Sequence, residues 1–154
     1  MSADLLAVAR SLTAPSHPET DQAAFARAVS TAYYALFHAL ARAAADNLVG
    51  PAGTERSSPA WRQTYRALDH GAAKTACIQA DKLGFPREIV ACADTFVLLQ
   101  QRRHDADYDP TFTTTRADAI AIIADAETAI DKLTRATQKD RTAFAILLLL
   151  RRRS

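Results

Sequence analysis

The stretch DQAAFARAVSTAYYALFHALARAAADNLV, residues 21 to 49, decides the fold. Its apolar side chains Phe25, Val29, Ala32, Leu36 and Leu40 recur every three or four positions, the spacing that gathers side chains onto one stripe of an α-helix. Thr20 or Asp21 stands where a cap for the first turn belongs, and the pattern runs to about Val49. Only four glycines occur in 154 residues, hydrophobic residues make up 49%, and alanine is abundant, a balance that favours packed helices over sheet.

The same periodicity, read outward from this segment, places the other elements. Ala3 to Leu12 reads as a short helix closed by TAPSHPET, whose two prolines break the pattern. GPAGTERSSP is a loop, and Pro59 suits the first turn of a third helix running through Trp61, Tyr65 and Leu68 to Ala80, with Gly71 as its weak point. KLGFP breaks the chain again before a fourth helix, Arg87 to Tyr108, built on Ile89, Val90, Ala93, Phe96, Val97 and Leu99 and ended by Pro110. Thr113 to Thr115 can cap a fifth helix carrying Ile120, Ile123, Ala126, Ile130 and Leu133, and TQKDRT marks a break or weak turn before AFAILLLLRRRS. The expectation is an all-α fold: an antiparallel bundle of four long helices plus a short N-terminal helix. It forms one domain over 1–154, with 1–16 as the short helix and its loop and 136–154 as an apolar and basic C-terminal helix or tail.

Composition narrows the functional classes. Cys77 and Cys92 are too few for a disulfide framework and lack the spaced partners of a zinc site, so a reducing, cytoplasmic setting is expected, with no metal and no cofactor. Nothing approaches the roughly eighteen apolar residues of a membrane span. Net charge is +2, but residues 136 to 154 hold Lys139, Arg141, Arg151, Arg152 and Arg153 against the single acid Asp140. The remaining body is slightly acidic, unlike a protein that coats nucleic acid through a broad basic face. In the tail, four consecutive leucines cover every side of a helix, which points to a partner subunit ahead of a membrane surface.

Two stretches carry the chemistry: STAYYALFHALARAA, Ser30 to Ala44, and QQRRHDADYDP, Gln100 to Pro110. Together they resemble the HEPN family of small helical-bundle proteins, in the branch with a Tyr-Tyr-Ala-x-Phe-His block (here Tyr33 to His38) followed by an Arg-x-x-Ala-Asp-Tyr block (here Arg103 to Tyr108). The pair of blocks anchors roughly residues 20 to 135. The resemblance implies a homodimer, often paired with a minimal nucleotidyltransferase in a toxin–antitoxin or defence system, whose active members cut RNA without a metal. Those members carry a histidine four to six residues after the arginine. From Arg103 the positions in that range are Asp107, Tyr108 and Asp109, so this chain departs from the motif.

Metal-free cleavage of RNA requires a base for the attacking 2′-hydroxyl, an acid for the leaving oxygen and a cation against the charged transition state. Arg103 suits the cation, because a guanidinium matches two phosphate oxygens at once. Asp107 shares its helical face and can orient it, although a carboxylate beside an arginine is pulled away from useful basicity. Tyr108 can donate to phosphate or base, and Arg102 adjoins the site. For the acid/base the candidates are His104, which points about 100° away from Arg103 on a helix, and His38. The latter belongs to the row Ser30, Tyr34, His38 and Arg42, spaced by four, which can face the end of the fourth helix. Against this stand plainer readings. Arg103 and Asp107 can be a surface ion pair worth about 0.3–0.5 kcal/mol, and Tyr34 and His38 can be packing residues with satisfied tips. His17 and His70 read as structural, and Trp61 with Tyr65 as core or interface.

Overall fold

In a computed structural model the chain is described over residues 1–14 and 16–153; Pro15, within the TAPSHPET break, and Ser154, at the end of the tail, lie outside the described residues. Seven α-helices and no strand occur among them: α1 (Ser2–Ser11), α2 (Pro18–Leu48), α3 (Ser58–Arg66), α4 (His70–Gln79), α5 (Arg87–Tyr108), α6 (Arg116–Arg135) and α7 (Gln138–Leu149). The all-α expectation holds. No helix among the described residues is long and apolar enough to cross a membrane.

The 31 residues of α2 make a rod of about 46 Å, and the other helices assemble around it. It starts earlier than its sequence suggests. Pro18, with its φ already helical and no N–H to satisfy, occupies the first turn, while Glu19 and Asp21 favour the positive end of the helix dipole. Phe25, Val29, Ala32, Leu36 and Leu40 are all buried, as their spacing predicts. Antiparallel to α2 runs α5: Gln22 Nε2 donates to the Thr114 carbonyl at 2.7 Å, Ser30 meets Asp107, and the Tyr33 and Phe96 rings lie 5.4 Å apart. On another side α6 runs parallel to α2, with Arg116 over the Phe25 ring at the start of the pair.

Two elements differ from the expected four long helices. The third segment is not one helix but two, α3 and α4, and the break falls at Leu68 and Asp69 rather than at Gly71. Asp69 accepts the Ala72 backbone N–H at 2.8 Å, so a capping carboxylate starts a new helix where periodicity alone would continue the old one. Gly71 sits inside the first turn of α4. Replacing Asp69 with alanine is expected to destabilise the fold by about 1 kcal/mol in denaturant unfolding, with Asp69→Ser restoring most of it. TQKDRT, in turn, is a helix start: Thr137 accepts the Asp140 N–H at 3.2 Å and opens α7.

The core is one cluster of side chains from all seven helices except α3, with Tyr33, Phe96, Phe144, Leu36 and Leu40 among the largest fully buried. On α6 the stripe is rotated from its reading, since Ile120 is 49% exposed and Ala119 takes the core side. Helix α7 buries Phe144, Ala145 and Leu148 and partly buries Leu147 and Leu149, so the bundle itself covers most of the leucine run. Ile146 and Leu150 stay exposed. Cys77 and Cys92 are buried free thiols whose ionisation burial pushes to higher pH, which suits packing rather than nucleophilic chemistry.

Candidate functional site

The inward face of α5 near its C-terminal end carries Phe96, Gln100, Arg103 and Asp107, positions that recur at three and four. Because this face packs on α2, the Arg103 side chain is only 12% exposed. Its guanidinium carbon lies 5.1 Å from the Tyr33 ring centre and 5.7 Å from that of Tyr34, so the cation rests against two electron-rich faces. Asp107 stands 3.9 Å from Arg103 and accepts a 2.5 Å hydrogen bond from the Ser30 hydroxyl. The ion pair is thus a partly sheltered one tied to α2, not the solvated pair that the sequence alone also allowed.

Helix α4 contributes the group that sequence reasoning set aside. His70, at the first position of α4, has its Nδ1 2.5 Å from the Tyr33 hydroxyl and stacks on Phe37 with ring centres 4.1 Å apart. Gln100 on α5 donates to the His70 carbonyl at 2.9 Å, which fixes the backbone under the ring. Burial holds the His70 pKa below the ordinary imidazole range and the nearby Arg103 charge adds to the effect, so the ring is neutral at neutral pH. Burial also pushes the Tyr33 phenol up to about 12, against the pull of Arg103, so it remains protonated. Two tautomers satisfy the Tyr33 bond: with the phenol donating, His70 Nε2 bears a proton; with Nδ1–H donating, Nε2 is a free base.

Two polar atoms of the cluster, Arg103 Nε and Gln100 Oε1, are buried without a hydrogen-bond partner. One is a donor and the other an acceptor, three residues apart on the same helix, and this residual polarity is unusual for a face packed on aromatic rings.

Of the expected site residues, Arg103, Asp107, Ser30 and Tyr34 come together. His38 does not join them: it turns toward α3, where its Nδ1 lies 2.6 Å from the Tyr65 hydroxyl, and burial lowers its pKa. Arg102, His104 and Tyr108 are exposed on other sides of α5, the His104 and Tyr108 rings 5.0 Å apart and Tyr108 66% exposed. Tyr33, His70 and Gln100 are the members that the sequence reading missed. The signal for His70 was the Leu68-Asp69-His70 run, since a capping Asp places the next residue at a helix start, facing whatever that end abuts.

Among the described residues no three His, Cys, Asp or Glu side chains converge as a metal site would require. Chemically the cluster offers a sheltered guanidinium, a carboxylate that orients it, and a neutral imidazole held by a phenol. Compared with protein-family models, characterised proteins and solved structures, the chain matches none.

Proposed function

We propose that this chain is a HEPN-like RNA- or nucleotide-binding protein, a cytoplasmic homodimer working in a toxin–antitoxin or defence pair, which holds phosphate through Arg103. The four-part antiparallel bundle of that family belongs to the proposal, with α3 and α4 together standing for one long helix. Metal-independent RNA cleavage belongs to it as well, with His70 in place of the histidine absent after Arg103. The observation that carries the reading is a single juxtaposition: Arg103 and His70, from different helices, share Tyr33, one over its ring and the other at its hydroxyl. In such a reaction Arg103 would neutralise the phosphorane oxygens. His70 would take the 2′-hydroxyl proton or protonate the departing 5′-oxygen, leaving a 2′,3′-cyclic phosphate.

A second reading has its own support. Arg103 is 12% exposed and fixed by Asp107 and two tyrosines, as a cation that locks two helices in register would be. Under it the bundle is a non-catalytic dimeric module that docks a partner such as a minimal nucleotidyltransferase. One experiment separates the two: growth of a bacterial host on induced expression, then incubation of the purified protein with RNA in excess chelator, for wild type and Arg103→Ala. Growth arrest and metal-free cleavage by the wild type alone support the nuclease reading. Intact RNA and unchanged growth for both rule it out in favour of the docking module.

A further inference from the structure

A recess with both apolar and charged walls lies away from Arg103. A cleft of about 580 Å³ opens between the C-terminal half of α2, the end of α6 and the start of α7, within the roughly 300–1,000 Å³ of small-molecule sites. Its apolar side is made by Ala39, Ala43, Ile130 and Leu133, while Arg42 and Arg141 supply charge at its edge. Only one carboxylate, Asp46, lines it, and that group is already engaged. Trp61 Nε1 donates to Asp46 at 2.8 Å, Arg56 lies 3.5 Å away and Arg42 3.8 Å away. Arg141 is directed at the Thr134 and Ala136 carbonyls, partners without formal charge. Two guanidiniums, Arg42 and Arg56, therefore flank the one acid, Arg141 adds a third positive charge to the cleft with no acid of its own, and Arg42, whose side chain is 58% exposed, retains most of its donors.

We propose that this cleft binds a small amphipathic carboxylate, its apolar chain laid on Ala39, Ala43, Ile130 and Leu133 and its head held by Arg42 and Arg141. Two features select this class. The excess positive charge rejects a cationic head, and guanidinium pairs a carboxylate through two parallel hydrogen bonds. The site is independent of the Arg103 cluster and of any role assigned to it.

The chain's single tryptophan reports on the site directly, because the Trp61 indole is bonded to Asp46 at its edge. Tryptophan fluorescence is titrated with decanoate, decanol and decylammonium, each below its aggregation concentration. Decanoate is expected to give a saturable change at about 1 mM or below, with decanol and decylammonium at least tenfold weaker. Arg42→Gln, a change at an exposed position, is expected to weaken decanoate about tenfold, the loss of one charged hydrogen bond. Ala43→Phe, which fills the cleft, should abolish the response with the melting temperature as its folding control. Arg102→Gln, on a different surface, should bind as the wild type does. No saturable response to decanoate, equal binding of decanol, or equal weakening by Arg42→Gln and Arg102→Gln overturns the proposal.

Discussion

Arg103→Ala is expected to lower metal-free RNA cleavage by about 10²- to 10³-fold, the loss seen when one preorganised charge-stabilising group is removed from a transition state. The same change should weaken binding of RNA uniformly across sequences and reduce the salt dependence of binding by about one phosphate contact, because a guanidinium on phosphate reads charge rather than base identity. Folding must be followed in parallel. Arg103 covers the faces of Tyr33 and Tyr34 and neutralises Asp107, so its truncation is expected to destabilise the protein by about 1–3 kcal/mol. Arg103→Lys separates the two effects. It keeps the charge near Asp107 but loses the planar fork, so stability should recover more than cleavage does. If Arg103→Lys and Arg103→Ala lose cleavage only in proportion to the fraction unfolded at the assay temperature, Arg103 is a structural cation and the nuclease reading fails.

Periodicity was a good guide wherever an element is long and its start and stop are written in proline or a capping residue. Helix α5 spans Arg87 to Tyr108 as its apolar spacing and Pro110 require, and every stripe residue named on α2 is buried. It failed at Asp69, because Leu68, Ala73 and Ala76 are buried whether one helix or two carry them, and only the cap distinguishes the cases. The site failed in part for a related geometric reason. Residues four apart on a helix drift by about 40° per step, so the row Ser30, Tyr34, His38 and Arg42 winds round α2. Ser30 and Tyr34 face α5, whereas His38 faces Tyr65 on α3 and Arg42 borders the cleft shared with α6 and α7. On α5 the same arithmetic turns Arg102 and His104 about 100° to either side of Arg103, and Tyr108 about 140° from it. The Asp69 cap marks His70 as a helix start but not what it meets: its partners Tyr33, Phe37 and Gln100 come from two other helices, and no spacing within one helix encodes that meeting.

His70 therefore carries the second large expectation. Loss of a general acid or base typically costs about 10²- to 10⁴-fold, so His70→Asn and His70→Phe should both lose cleavage by that order while RNA binding through Arg103 changes little. The two replacements divide the structural roles of the ring. Asparagine can keep a hydrogen bond to the Tyr33 hydroxyl but cannot shuttle a proton at neutral pH. Phenylalanine keeps the stack on Phe37 but leaves the buried phenol unpaired, at about 1–3 kcal/mol. A His70→Asn protein that melts near the wild type and still cuts RNA at the wild-type rate would remove His70 from the chemistry. The pH dependence has a definite sign. Burial, Arg103 and His38 depress the pKa of His70 from its ordinary 6.5, with Asp69 opposing, so the unfolded chain takes up the proton first on acidification. The stability that comes from keeping His70 neutral is intact above about pH 6.5 and is lost as pH falls from there toward the folded value. His70→Phe abolishes that part of the acid sensitivity, leaving the share due to His38, whose pKa is lowered in the same direction. Denaturant unfolding of wild type and His70→Phe between pH 8 and 5 should thus give two curves that converge as the solution is acidified. Parallel curves would mean that His70 is not held neutral by the fold, and the imidazole would then be no better placed for proton transfer than one in solution.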